Sequence, residues 1–373
     1  MSEVSLNLSV LRKWTKYDHL SICVGVDVGG SGIRVRISNA LEIKSEYIDL
    51  KHIKVKTTAK AIEALTNIEK SLENLAPDFE CKGATIAVAG PIKNGICIIT
   101  NWEGTKEQRT IHSSCLPSRI FPKDRTFLIN DLEAGAYGVI AADKQGILES
   151  KFELLFGEAK PGESIINNSR TAVLAMGTGL GGAIIVKSQF LDKPFVFPTE
   201  IGHLQIPIVC SGLSHKEEEE MLENLSSSFY DGKLTPEFED LCSGKGLCYA
   251  YKYLLEKEKG STSEAELDPP KIAEKAQKGD KIARDALLWH YRMFTRAAKI
   301  IATSLSCGSI LMALDNQVKN SWFISQVAEE LATEFNSFTR PDWIKNVKCY
   351  TQKEILNFNI LGADYMAHQI ANK

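Results

Sequence analysis

No stretch of this chain approaches the roughly 20 consecutive apolar residues that a membrane-crossing helix needs, so no membrane partner is expected. An excess of charge of one sign is lacking as well. Lys and Arg total 44 against 47 Asp and Glu, and the formal net charge of -3 removes the electrostatic case for a nucleic-acid partner. Nine cysteines occur without a single C-x-x-C pair, which argues against a zinc ribbon or a thioredoxin-type motif. Scattered in this way, they read as small core hydrophobes in a reducing compartment. The first residues, MSEVSLNLSVLRKW, hold no signal-peptide core, and the last, HQIANK, are no S-K-L peroxisomal address; a cytoplasmic protein is expected. What remains is ordinary globular composition, 44% hydrophobic and 24% charged. At 373 residues it exceeds what one core usually supports, so two domains are expected.

The stretch TFLINDLEAGAYG, Thr126 to Gly138, carries the sharpest local signal. Phe127, Leu128 and Ile129 predict a buried strand that ends at Asn130 and Asp131, where a small-residue helical pattern begins. Polar side chains at the end of such a strand face the crevice where open α/β sheets bind ligands. A plainer reading makes Asn130 a helix cap, with Glu133 completing a capping box.

Upstream, SICVGVDVGGSGIRVRIS predicts two strands joined by a tight glycine turn whose exposed amides can cradle phosphate. Asp27, at the strand end beside that turn, could hold a hydrated magnesium ion. A helix is predicted over Thr58–Ala76, with Ile62, Leu65, Ile68, Leu72 and Leu75 on its apolar face. A strand at Ala84–Ala89 follows, then a hairpin turn at Asn94-Gly95, and the returning strand delivers Asn101 and Trp102. The polar segment Asp143–Arg170 reads as an excursion from the core.

TAVLAMGTGLGGAIIV repeats the first motif: strand, glycine turn, strand. Gly177, Gly179 and Gly182 also match the dinucleotide fingerprint, with Glu200 near the ribose-binding position. The chain between Ala183 and Phe197 is too short and too β-branched for a crossover helix, so the Rossmann reading fails and a second phosphate hairpin is expected. Glu200 and His203, beside a glycine, look like a hydroxyl-binding pair. The acids Glu217–Glu220 read as a solvated helix start. FEDLCSGKG adds a glycine turn before a helix. Further helices are predicted over Lys271–Gly279, Lys281–Leu305 and Ser321–Phe338, with a strand at Ser309–Leu314 and an amphipathic helix at the end that packs back on the first domain.

In this order, DVGGSGIR, AGPIKNG, TNW, INDLEAGAYGV, MGTGLGGA, EIGH, CSGKGL and NILGADY resemble the motif series of the bacterial-type glucokinases, a group some unicellular eukaryotes also carry. The match runs over nearly the whole chain. It implies an α/β, two-domain actin-like ATPase (ribonuclease H-like) fold with an interdomain active-site cleft that closes on its ligands. It also implies a small domain of residues 1–130 plus 355–373 and a large one of 131–354. Carried over by position, Asp131 corresponds to the catalytic base. Asn101, Asn130, Asp131, Glu200, His203 and Glu239 match the residues on sugar hydroxyls. Asp27, Val28, Gly29, Gly30, Ser31 and Gly32 match the first phosphate loop, and Gly177, Thr178 and Gly179 the second. The implied substrates are glucose and ATP, with Mg2+ held through water at Asp27. The C-x-C-G motif of the related repressor–kinase group is missing, so no structural zinc is expected. A homodimer is compatible with the resemblance.

Two places depart from the family pattern: the sequence reads Met312-Ala313-Leu314-Asp315-Asn316 where a glycine pair commonly follows the late strand, and Lys245 stands where a small residue or proline is usual. Both bear on the adenine side. The expected activity is ATP-dependent phosphorylation of glucose. The alternatives are a kinase for another hexose or an amino sugar, and a catalytically silent sugar-binding regulator on the same fold.

Overall fold

The computed structural model describes residues 11, 13–14, 20–41, 46–166, 169–208, 215–260 and 268–372. The chain divides into two compact units: Met1–Ile147 with Asn357–Lys373, and Leu148–Leu356. No described helix is long and apolar enough to cross a membrane.

In the first unit, the β-branched runs of the N-terminal motif form β1 (Ser21–Gly29) and β2 (Gly32–Asn39), an antiparallel hairpin closed by Gly30 and Ser31. β3 (Tyr47–Asp49) extends the β2 side, while β4 (Glu80–Val88) and β8 (Thr126–Asn130) run parallel to β1, in the order β3-β2-β1-β4-β8. A small three-stranded sheet is made of β5 (Ile92–Lys93), β6 (Ile96–Ile98) and β7 (Thr110–His112). Its first turn is the expected Asn94-Gly95 hairpin, with φ of 53 and 71° at the two residues, as a type I′ turn requires.

The helix Thr58–Leu75 buries Ala61, Leu65, Ile68 and Leu72. Its apolar face is thus rotated slightly from the expected one, and Leu75 is exposed. The run Phe127–Ile129 does form a strand, but β8 lies at the sheet edge. Only Ile129 is buried, and Phe127 is 51% exposed. An edge strand lacks a neighbour on one side, so the apolar run is not covered as a central strand would be.

The helix Asp131–Lys144 packs along the last helix, Phe358–Ala371, which also lies on β1 and β4. Small residues permit that approach: a Cβ at Gly25 would stand 2.7 Å from the Asp364 amide nitrogen, and one at Gly362 would collide with the Ala134 carbonyl. This packing carries the first unit through to Ile147, beyond the boundary after residue 130 that the resemblance implied.

The second unit repeats the plan. β10 (Arg170–Met176) and β11 (Leu180–Val186) form an antiparallel hairpin, extended by β12 (Phe195–Thr199). On the other side β13 (Cys307–Ala313) and β14 (Lys348–Gln352) run parallel to β10. β9 (Phe152–Phe156) closes that edge antiparallel to β14. The order is β12-β11-β10-β13-β14-β9. The expected excursion of residues 143–170 therefore contributes a strand, with Phe152, Ile165 and Ile166 buried. Ser321–Phe338 is two helices, Ser321–Gln326 and Ala328–Asn336, parted at Val327. Two hairpins of one topology, each continued by parallel strands, make this the two-domain actin-like ATPase fold.

The long helix Lys281–Leu305 runs through the core of the second unit and carries a buried ion cluster. Arg296, fully buried, pairs with Glu218 and with Glu334, and Arg292 reaches Glu334 at 2.8 Å. Lys299 Nζ donates to the Glu334 and Ser337 carbonyls at 2.8 and 3.1 Å. Glu218 is thus 1% exposed, a correction to the reading of Glu217–Glu220 as a wholly solvated helix start. In the helix His215–Tyr230 it occupies the inward position, because a cation on a distant helix awaits it.

Candidate active site

The first unit collects its predicted residues at one edge of the sheet. Register pairs Val28 with Val88 and Val88 with Asn130, so the ends of β1, β4 and β8 lie side by side. The Gly29–Gly32 turn is braced from below. Trp102 Nε1 donates to the Gly29 carbonyl at 3.1 Å, and a Cβ on Gly30 would stand 3.0 Å from Asn101 Cβ. Asn101 therefore packs directly against the turn. Gly32 has φ +143°, and a side chain there would strike the Ile53 carbonyl, which explains the glycine.

Asp27 is buried, and its Oδ2 accepts from Arg34 Nη1 at 3.2 Å and Asn357 Nδ2 at 3.1 Å. Neither partner was among the expected site residues. Arg34 was within reach of sequence reasoning, since it lies opposite Asp27 in a hairpin that turns at Gly30-Ser31. Asn357 had no such signal. It caps the last helix by accepting from the Ile360 amide, far along the chain.

Asn130 does cap the helix Asp131–Lys144: its Oδ1 accepts from the Leu132 amide at 2.9 Å. Burial raises the Glu133 pKa, against the lowering effect of the Asn130 backbone N–H. Asp131 sits one position inside the helix, and its Oδ1 also accepts from the Leu132 amide, at 3.0 Å. The cap is therefore supplied by the neighbour. Burial and the nearby Asp131 charge push the Cys97 thiol up to about 11, which locates the carboxylate beside the β5–β6 hairpin.

The second unit assembles the other expected residues around the Gly177-Thr178-Gly179 turn. The Gly177 amide donates to the Gly179 carbonyl at 2.8 Å. The Gly177 carbonyl in turn accepts from the Gly244 amide at 2.9 Å, which joins the turn to the start of the helix Gly244–Lys259. Asn316 Nδ2 donates to the Met176 carbonyl at 2.7 Å from the other side. Glu239 Oε2 accepts from the Leu180 amide at 2.9 Å, directly behind Gly179. Glu200 precedes the short 3-10 helix Ile201–His203, and Gly202 in that helix has no room for a side chain against the Leu180 carbonyl. The turn, Glu239 and the Glu200–His203 segment are thus one packed group.

His203 Nδ1 lies 2.8 Å from Glu237 Oε2, a partner the sequence reading did not include. That hydrogen bond, with the charges of Glu237, Glu239 and Glu200, raises the His203 pKa against the opposing effect of burial. Leu314, at the departure from the family pattern, has φ +104° and ψ 162°, a conformation nearly reserved for glycine. It is held by donation from its amide to Gln352 Oε1 at 2.9 Å, and its Cδ1 would stand 3.1 Å from a Cβ on Gly177.

Among the described residues no group of three or more His, Cys, Asp or Glu could cage a metal ion. Asp27 is a single buried carboxylate beside the Gly29–Gly32 turn, and a magnesium ion that keeps most of its waters needs no more than one or two such groups.

A glucokinase family model matches residues 24–326. Glucokinase 1 of Trichomonas vaginalis is 49% identical over 365 residues, spanning 97% of this chain and 97% of that protein. Probable glucokinase 2 of the same organism is 50% identical over 356 residues, spanning 95% of this chain and 94% of its own length. Among solved structures, glucokinase from Balamuthia mandrillaris in complex with glucose superposes with a TM-score of 0.88 at 31% identity, covering 98% of this chain and 100% of that one. The chain belongs to the glucokinase family.

Proposed function

We propose that this protein is an ATP-dependent glucokinase, which transfers the γ-phosphoryl group of ATP to the 6-hydroxyl of glucose and releases glucose 6-phosphate and ADP. The observation that carries the reading is the placement of Asp131. It stands at the end of β8 as a carboxylate that the helix does not need for its cap, because Asn130 already fills that role.

Phosphoryl transfer asks the protein mainly for positioning and charge stabilisation, plus a group to accept the hydroxyl proton. In this reading Asp131 takes the proton of the glucose 6-hydroxyl. Its Oδ1 is fixed by the Leu132 amide, so the carboxylate is oriented before the sugar arrives. Asn101, Asn130, Glu200, His203 and Glu239 bind the remaining hydroxyls. Asn130 gives its Oδ1 to the helix and so meets the sugar through its amide nitrogen, as a donor. The backbone amides of Gly29–Gly32 and Gly177–Gly179 receive the nucleotide phosphates. Asp27 would hold magnesium, which when bound would neutralise phosphate charge.

Asp131→Asn separates this role from a helix-start role. The variant is expected to lose about 10²–10⁴ in rate, to melt at nearly the wild-type temperature, and to bind glucose detectably by calorimetry. Asp near a helix N-terminus is worth only about 0.3–1 kcal/mol. The assay couples ADP release to a reporter over a panel of hexoses with ATP and magnesium. A variant keeping more than about a tenth of wild-type kcat, or a wild-type preference for another hexose over glucose, defeats the reading.

A further inference from the structure

We propose that Glu237 is a positioning residue for the sugar: its carboxylate holds the His203 imidazole by Nδ1–H and so fixes Nε2 toward a sugar hydroxyl, to which it donates while the ring is doubly protonated. The proposal rests on the glucokinase reading of His203 given above. Glu237 is itself firmly placed. Its segment is tied to the chain just after His203 by a Gln205–Glu237 bridge, with Ile206 N donating to Pro236 O at 2.9 Å and Phe238 N to Leu204 O at 3.0 Å. Glu237 also caps the short helix Phe238–Leu241. Its backbone carbonyl accepts from the Asp240 amide at 3.0 Å, and its own amide donates to Asp240 Oδ2 at 2.8 Å. Tyr230 Oη donates to both Asp240 oxygens at 2.8–2.9 Å, so the polar chain runs Tyr230, Asp240, Glu237, His203.

The chemistry follows from what each group can offer. Ionised Glu200 and Glu239 only accept hydrogen bonds, and a sugar hydroxyl that donates to them still presents an oxygen that needs a donor. A histidine with its Nδ1 proton committed to a carboxylate supplies that donor when Nε2 is protonated too. The charged groups that act on His203 are Glu237 and Glu239, from the short helix Phe238–Leu241 and its cap, and Glu200, before the 3-10 helix. All three favour the doubly protonated ring. Asp240 and Tyr230 stand behind Glu237 rather than against the ring. A helix cap alone would need no contact with His203, yet that contact is there across 34 positions of sequence.

Glu237→Gln in the full chain keeps an acceptor for the ring N–H and removes only the charge. Two readouts decide. In wild-type protein, nitrogen NMR of the imidazole should place the His203 titration above the free value, and in E237Q it should fall. The glucose KM of E237Q should then exceed that of wild type by at least about threefold over the pH interval between its lowered His203 titration and the wild-type one, as expected when one hydrogen bond is lost, while matching wild type at more acid pH, with kcat little changed. Glu237→Ala should raise KM at every pH, because the ring loses its orientation as well. An unmoved His203 titration in E237Q, or KM–pH profiles that superpose with wild type, overturns the proposal. Should the wild-type protein fail to phosphorylate glucose, the activity reading falls. The NMR arm still decides whether Glu237 governs the ring.

Discussion

Gly179→Ala tests whether the Gly177–Gly179 turn, proposed to receive phosphate, and the Glu239 carboxylate, proposed to bind the sugar, are one mechanical group. Gly179 is not among the positive-φ glycines, so its backbone tolerates alanine. What the methyl meets is Glu239: it would overlap Oε2 and stand 2.8 Å from the carboxyl carbon. The carboxylate ends a flexible side chain and can swing aside. In doing so it abandons the Leu180 amide, which it accepts at 2.9 Å. A hydrogen bond to a charged group is worth about 1.5–3 kcal/mol, and the amide left behind is part-buried. If that loss falls on glucose binding, glucose KM rises by about ten- to a hundredfold, at roughly 1.4 kcal/mol per decade. The assay is glucose KM at saturating ATP, with urea unfolding of Gly179→Ala alone and in a Glu239→Ala background. Removing the carboxylate should remove most of the stability cost of the methyl. A rise in ATP KM with glucose KM unchanged, or costs that add within about 0.5 kcal/mol, would refute the coupling.

Two further expectations concern the second unit. Arg296→Met leaves Glu218 and part of Glu334 without their buried cation, and removal of one partner from such a cluster costs about 3–5 kcal/mol, readable as a lowered urea midpoint. His290, buried and donating Nδ1–H to the Leu241 carbonyl at 2.7 Å, has its pKa lowered by burial to about 4. Between that value and the ordinary one near 6.5 the unfolded chain binds the extra proton and the folded chain does not. Stability should therefore be full above about pH 6.5 and fall by about 3 kcal/mol as pH drops toward 4. His290→Gln should flatten that slope in urea titrations taken at successive pH values.

Much of the molecule was readable because its signals are local. Hairpin turns need particular residues, and Asn94-Gly95, Gly29–Gly32 and Gly177–Gly179 each announced a reversal that the structure contains. The helix Lys281–Leu305 had a periodicity long enough to set both its ends. What stayed hidden depends on partners far along the chain. Glu218 looked like one of four solvated acids, and only Arg296 makes it a core residue. FELLF sits in a polar context, and pairing with β14, nearly 200 positions later, makes it a strand. Within the site, Arg34 could be placed opposite Asp27 from hairpin symmetry, but Glu237 and Asn357 reach their partners only through tertiary folding. Leu314 was visible as a departure. That it adopts a backbone conformation suited to glycine was not, since local strain is set by what surrounds it.

The last helix, Phe358–Ala371, has a consequence for how the protein is made. It lies against β1, β4 and the helix Asp131–Lys144, all of which leave the ribosome first, while the whole of Leu148–Leu356 is synthesised in between. At about 5–20 residues per second, the early strands wait on the order of ten seconds or more with the surface around Gly25 and Gly83 uncovered. The second unit, continuous in sequence, can complete its own core during that interval. Released chains that end before residue 357 should therefore hold a folded later unit and an unfinished earlier one, and the apolar surface that chaperones would meet belongs to the earlier part of the chain.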